Sequence, residues 1–372
     1  MFHNALTLER NHGLNFFDHV APEIGGLGVS IAGPEGNRAL NWIASWDDGP
    51  AQSVDQRVKM ALWLERFEKC GGKVVIHGAT TADLNALAAL YDLVIVAAGK
   101  GEIAQLFDRD PQRSVHSKPL RMSSATYVHG VKSRTERPGA TDIWINIVPG
   151  VGTLLNIPAY TRSGACDILY LSAVQGGPFD AFRDRPSPAE QLCRQLDLLR
   201  QYLPWEYERC RDAELTDSRG TLAGAVTPTV RKPVGRLPSG AYVLGMADVV
   251  TINDPAAGQG SNSAAKCAQY YLDSILERGS RPFDPGWMQA TFERFWDYAR
   301  HVAKLTTTIA SQLPPHGLEV LCAAQTNEKV AKAFVEGFNH PPSLADWLYE
   351  PEKARAFLAG AGAAPAPAAS SS

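Results

Sequence analysis

No apolar run in this 372-residue chain approaches the ~18 residues that a membrane-spanning helix needs, so no membrane partner is expected. Cysteine is sparse. Cys70, Cys166, Cys193, Cys210, Cys267 and Cys322 form no C-x-x-C pair and no zinc-type spacing with the nine histidines. They read as reduced packing residues, which excludes a disulfide framework and leaves no metal site to name. Excess charge is lacking as well. With a net charge of -3 and a pI near 6.3, nothing points to nucleic acid or to an anionic membrane surface. The opening Met1-Phe2-His3-Asn4, followed by Glu9 and Arg10, lacks the basic-then-apolar order of a secretory signal, so the expected compartment is the cytoplasm. No Ser-His-Asp arrangement and no paired-carboxylate signature stands out, and no side chain is named as catalytic.

A glycine-rich phosphate turn is also missing where a dinucleotide fold would carry it. Such a fold opens on a βαβ unit of roughly 30 residues with G-x-G-x-x-G in its first turn. No such unit precedes Phe2, and Phe2 to Arg10 reads as a helix tail. Gly99-Lys100-Gly101-Glu102-Ile103-Ala104 matches G-x-G-x-x-A but is rejected on context. No acidic strand end lies ~20 residues on, where Leu120 and Arg121 begin an alternating segment instead.

What the chain does have is the stretch Tyr242 to Ala265. Tyr242-Val243-Leu244 reads as a strand, Gly245 and Ala247 let the backbone close up, and Asp248 projects a carboxylate. Pro255 fixes a turn, Gly258 and Gly260 allow close backbone approach, and Ser261 to Ala265 opens a helix. The free N–H groups of that helix start would attract negative charge.

The pattern Gly245-x-x-Asp248, then Asp254-Pro255-x-x-Gly258-Gln259-Gly260-x-Asn262, resembles the second flavin motif of the para-hydroxybenzoate hydroxylase superfold. His3-Asn4-Ala5, Asp55-x-Arg57, Tyr91-Asp92-Leu93-Val94, Gly99-Lys100, Pro228-x-x-Arg231 and Leu313-Pro314-Pro315 follow in the order and spacing of the styrene and indole monooxygenases. The resemblance spans most of the chain. It implies a two-component monooxygenase, in which a separate NADH-dependent flavin reductase transiently delivers reduced FAD. A flavin C4a-hydroperoxide, rather than a side chain, would then pass oxygen from O2 to a small apolar aromatic substrate. It further implies cofactor contacts from Arg57, Gly99, Gly245, Asp248, Pro255, Gly258, Gln259, Gly260, Ser261 and Asn262. Asp248 would face a ribityl or ribose hydroxyl, and the helix start the N1–C2=O edge of reduced flavin.

The expected fold class is α/β, α+β overall. A parallel-sheet FAD-binding domain (residues 1-12, 51-117 and 238-285) joins an antiparallel-sheet substrate-binding domain (13-50 and 118-237), a helical region (286-358) and a disordered tail (359-372). Gly28 to Ile31 and Ala39 to Ile43 read as extended pieces, with Trp42 and Trp46 either lining a pocket or covering a sheet. Ser53-x-x-Gln56 reads as a capping box for a helix that stops at Gly71-Gly72. Arg57 in its first turn opposes the helix dipole, so it either approaches the cofactor pyrophosphate or is a solvated cation. Lys73 to His77, Ala82 to Leu90 and Asp92 to Ala98 predict strand, helix and strand of a parallel sheet, with His77 a strand-end residue rather than a base. Period-2 alternation predicts strands over Arg121 to Val131, Asp142 to Val148, Thr153 to Pro158 and Asp167 to Val174. Ser187-Pro188-x-Glu190 caps a helix whose Leu192, Leu196, Leu199 and Leu203 would cover that sheet. Its free face would roof a substrate cleft. The stripe Phe292, Phe295, Trp296, Ala299 and Val302 predicts a core helix.

Two alternatives stay open: a single-component NAD(P)H-dependent aromatic hydroxylase, and an inactive truncated flavoprotein remnant. The oligomeric state, a homodimer included, is open too. For residues 1–372 alone the expectation is weak FAD binding, little activity and an open apolar strand edge at Asp92 to Ala98.

Overall fold

A computed structural model describes residues 1–363, so most of the predicted disordered tail (364–372) lies outside the described residues. In chain order the elements are α1 (His3–Asn11), β1 (Gly26–Ala32), β2 (Arg38–Ser45), α2 (Gln56–Lys69), α3 (Thr81–Leu90), β3 (Ile95–Val96), β4 (Arg121–His129), β5 (Ile143–Val148), β6 (Gly152–Thr161) and β7 (Gly164–Val174). There follow α4 (Pro188–Tyr202), α5 (Pro204–Cys210), β8 (Glu214–Leu215), β9 (Thr221–Gly224), β10 (Thr229–Val230), β11 (Val234–Arg236), β12 (Tyr242–Gly245) and β13 (Thr251–Ile252). The chain ends in α6 (Gly260–Arg278), α7 (Pro285–Ala310), α8 (Pro315–Ala324), α9 (Glu328–Asn339) and α10 (Pro351–Gly360). Residues 359 and 360, predicted as tail, thus complete a helix.

The fold is α+β. Its frame is an eight-stranded sheet in the order β2-β1-β5-β6-β7-β4-β8, with β9 also on β4. Only β1 and β5 run parallel; the other pairs are antiparallel. The alternation that predicted these strands works because each finds its partner through a short connection, β6 and β7 pairing from Gly152↔Ala173 to Thr161↔Gly164. On one face, α4 presses Leu192, Leu199 and Leu203 onto Val128, Leu154, Leu169 and Leu171. Gln191 and Gln195 are buried in the same interface and donate to Ala125 O and Ser124 Oγ, so the sheet satisfies their amide N–H groups. The opposite face carries Ala125, Tyr127, Ile157, Ala159, Cys166, Ile168 and Tyr170. At the β1–β2 end, α8 and α9 close the core over Trp42 and Trp46, whose indoles donate to Leu321 O and Val335 O. Both tryptophans are therefore buried aromatics packed on the sheet, and Trp46 also borders an open pocket beside Gly49 and Pro50.

A second core joins β3, β12, α6 and α7, with Phe292, Phe295, Ala299 and Val302 fully buried against Val243 and Leu244. The aromatic stripe is core, as its spacing predicts.

The predicted parallel sheet is largely absent. β12 pairs parallel with β3 over Leu244↔Ile95 and Gly245↔Val96, and antiparallel with β11. Lys73 to His77 forms no strand, because no neighbouring backbone among the described residues hydrogen-bonds to it. His77 instead lies exposed beside Asp83 at 3.4 Å. α3 stands, held by a capping box between Thr80 and Asp83. The box predicted at Ser53 does not form. Asp55 is the N-cap of α2 and accepts from Arg57 N, a carboxylate being at least as good a cap as the serine two residues earlier.

Beside the sheet, Glu206 is fully buried and pairs with Arg134 at 2.8 Å and Arg209 at 2.7 Å, while Arg134 stacks over Trp144. Replacing Glu206 by leucine leaves two guanidinium groups without their anion in a site closed to water. The expected loss is ~3–5 kcal/mol in denaturant unfolding. An unchanged midpoint would contradict the role given to this network.

Candidate functional site

β12 delivers the chain into the loop that leads to α6. Gly245 is a packing glycine: a Cβ there would meet Phe107, Val249 and Val250 at 2.8 Å. The next turn passes through Ala247, whose φ of 53° is left-handed. For a non-glycine residue that conformation costs about 1–2 kcal/mol. It aims Asp248 outward, past Gly99, where a Cβ would come within 2.6 Å of the Asp248 Cβ. Gly99 therefore admits Asp248 rather than a phosphate. Among the described residues no donor reaches the Asp248 carboxylate. Desolvation moves its pKa upward, against a smaller opposing pull from Lys100.

The loop is wired from within. Asp254 accepts from Ala256 N at 3.0 Å and so starts the 3-10 turn Pro255–Ala257, leaving its Oδ2 buried without a partner. Burial, the largest influence, pushes Asp254 up to about 6, against the Ala256 hydrogen bond and the charge of Arg121. Gly258 takes φ 62°, with open space where a Cβ would stand, and a Cβ on Gly260 would also meet open space. Gln259 donates to Phe338 O at 2.8 Å. Asn262 accepts from Phe2 N at 2.7 Å and donates to Gly258 O at 3.0 Å. Both side chains thus brace the loop, and Gln259 Oε1 stays buried without a partner. What the loop leaves free is backbone: the N–H groups of Gly260, Ser261 and Asn262 open α6 with no acceptor in their own helix.

The first turns of α2 and α6 meet on one cavity of about 570 Å3, lined by Lys59, Met60, Trp63, Met246, Ser261 and Ala265 among others. Arg57 is not in that lining. It is partly exposed and paired within the protein: Nη2 meets Asp55 at 2.6 Å and Nη1 meets Asp217 at 2.9 Å. Hydrogen bonding to Arg57 holds the Asp217 carboxyl down at about 2. Asp55 also accepts from Thr161 Oγ1 at 2.7 Å, which ties the start of α2 to β6. The anion needed to offset a cation at this helix start comes from the protein.

Three features escaped the sequence. Lys59 and Glu9 form a buried ion pair in the cavity wall, 50 residues apart in sequence and without any local signal. Trp63 lies under Lys59 at 5.2 Å, and its i,i+4 spacing was the available clue. The strained φ of Ala247 has no sequence signature.

Residues 99–209 match the family model for the substrate binding domain of styrene monooxygenase A. Over 362 residues the chain is 26% identical to styrene monooxygenase StyA of Pseudomonas fluorescens, covering 94% of this chain and 85% of that protein. The same figures hold for styrene monooxygenase StyA of Pseudomonas sp. Among solved structures, the flavin-dependent brominase Bmp2 superposes with TM-score 0.61 at 14% identity over 97% of this chain and 90% of that one. A variant of the halogenase PltM in complex with FAD gives 0.55 at 13% identity, over 91% and 70%. The structures share the fold, and the resemblance to styrene monooxygenases extends along nearly the whole chain, as the ordered motifs implied.

Asp254 sets a pH dependence. In the unfolded chain its carboxyl titrates near 3.8, and in the fold near 6, so the folded state holds the proton more tightly. The stability this group contributes is complete below the unfolded value and is lost as pH rises through about 6. Asp254→Asn keeps an acceptor for Ala256 N and removes the titration. The variant is expected to melt higher than the parent near pH ~7.5 and equally near pH ~4; melting curves with the same pH profile would contradict the assignment.

Proposed function

We propose that this styrene monooxygenase-like chain is the oxygenase component of a two-component, FAD-dependent monooxygenase acting on a small apolar aromatic substrate. Reduced FAD comes from a separate NADH-dependent flavin reductase that docks transiently, and we place the chain in the cytoplasm. When bound, reduced FAD supplies the activation of O2 and the transfer of one oxygen atom. The chain's own residues bind, orient and keep water out.

The observation that carries this reading is the free polar surface of the Tyr242–Asn262 loop. Asp248 offers an unpartnered carboxylate, and α6 offers three backbone donors beside the space left by Gly258 and Gly260. Asp248 would take a ribityl hydroxyl, and the α6 donors the edge of the flavin that becomes negative on reduction. Pro255, Gln259 and Asn262 hold the loop in shape. Arg57, already balanced by Asp55 and Asp217, acts at longer range. The apolar sheet face with Ala125, Ile157, Ile168, Tyr127 and Tyr170 supports an aromatic substrate beneath it. That face meets the loop where Tyr170 and Arg121 are close enough to Asp254 to feel its charge.

Supplied with NADH, a flavin reductase and FAD in an excess that offsets the weak binding expected of residues 1–372, the chain is expected to convert styrene to styrene oxide or indole to indigo slowly, but above the reductase-only background. NADPH consumption by the chain alone would instead select a single-component hydroxylase, and no product from either substrate would refute the reading. Asp248→Ala should weaken FAD binding by ~1.5–3 kcal/mol, a loss of roughly 10- to 150-fold. Affinity unchanged within about twofold would remove the ribityl role from Asp248.

A further inference from the structure

We infer that a cavity on the α4 side of the eight-stranded sheet, bordered by α5, binds a small zwitterion of the α-amino acid class, Asp167 receiving its ammonium group and Arg134 and Asn156 its carboxylate. The cavity holds about 270 Å3 and is lined by Arg134, Asn156, Asp167, Arg209, Lys132 and Asp142 among others. That volume suits a ligand smaller than a drug-sized one.

Strand register places these groups. Asp167 lies opposite Val128 and Pro158, and Asn156 lies opposite Leu169 and Trp144. Val128 and Leu169 belong to the core under α4, so Asp167 and Asn156 stand on that face. The two-residue period turns Ile157 and Ile168 to the opposite, apolar face. As diagonal neighbours on adjacent strands, Asn156 and Asp167 are roughly 7–8 Å apart. Arg134 completes the row: its guanidinium stacks over the Trp144 ring at 4.0 Å, directly across from Asn156.

The polar groups of this row are unfinished. Among the described residues no hydrogen bond reaches the Asp167 carboxylate. Burial, the largest influence, pushes it up to about 6, against the charges of Arg209 and Arg134. Asn156 is 1% exposed, yet its Nδ2 has no acceptor; Arg134, 7% exposed, gives Nη2 to Glu206 and has none for Nη1. Buried polar groups are nearly always paired, so three such groups around one cavity mark a place shaped for a partner from outside the chain.

Charge decides which partner. Lys132 is spent on Asp212 at 2.8 Å and Asp142 on Arg137 at 3.1 Å. Glu206 meets both Arg134 and Arg209 and neutralises one of them, which leaves a positive charge at the Arg134 end and the negative charge of Asp167 at the other. An anion alone would be held by Arg134 and repelled by Asp167, and an amine alone the reverse. A molecule with an ammonium and a carboxylate on one short stem meets both, and the Asn156 amide can donate to its carboxylate. No part of this rests on the proposed oxygenation.

Isothermal titration of the 372-residue chain with each of the common protein amino acids, and with acetate and ethylamine as half-ligands, tests the site. At least one amino acid is expected to bind at a single site with Kd at or below ~1 mM, and acetate and ethylamine at least ~10-fold more weakly. Asp167→Asn keeps the shape and removes the buried charge. It should melt at or above the parent near pH ~7.5, since the folded state resists ionisation of this carboxyl, and lose at least ~10-fold in amino-acid affinity. Asn156→Leu breaks no side-chain hydrogen bond of the fold and should weaken the same ligand. No binding by any amino acid up to ~10 mM, a half-ligand binding as tightly as the best amino acid, or full affinity in either variant would each overturn the assignment. Flavin, reductase and substrate are left out of every titration, so failure here is separable from failure of the proposed oxygenation.

Discussion

An extended backbone stays ordered only if its N–H and C=O groups find partners, and this requirement divides the molecule in two. In the eight-stranded sheet it is met from β2 through β8, and the sheet becomes a rigid plate with α4 on one face and a mostly apolar surface on the other. In the smaller unit, among the described residues, it is met where β12 lies between β11 and β3 and in the short β10–β13 pair. Apart from these pairs, among the described residues, the extended stretch Lys73 to His77 pairs with no other strand and exposes Val75 and Ile76. The candidate site sits at the junction of these regions, close to the best-formed and the least-formed parts of the structure.

The loop before α6 shows how such a site keeps its shape without regular structure. Its side-chain amides and Asp254 bond to backbone rather than to each other, so the loop is fixed while its own donors at the helix start remain free. Local strain at Ala247 and the uncompensated Oδ2 of Asp254 are the costs of this arrangement. They cluster within a few residues of the group assigned to the cofactor, and the surrounding packing of Val249 and Val250 is what sustains them.

Much of this was legible in the sequence, for physical reasons that can be named. The antiparallel strands announced themselves through alternation such as Ile143, Ile145 and Ile147, because one face of each meets a core and the partner is near in sequence. Ser187 and its following prolyl turn marked α4 for the same local reason. Long-range pairing was not legible. Arg57 finds Asp217 across 160 positions, and Lys59 finds Glu9 across 50, so the sequence offered an arginine awaiting an anion and nothing at all for the lysine. Gly99 and Gly245 were read as ligand-facing glycines, whereas their neighbours show them to be spacers for Asp248 and Phe107. Lys73 to His77 had the composition of a strand, but composition cannot supply the partner.

The account turns on negative charge being received by the first turn of α6. A helix start stabilises an anion by roughly 0.3–2 kcal/mol depending on burial, and it does so only for the charged form. Anaerobic titration of the chain with oxidised and with two-electron-reduced FAD measures that difference directly. Tighter binding of reduced FAD is the result predicted; equal affinities, or a preference for oxidised FAD, would contradict the placement of the flavin at this helix.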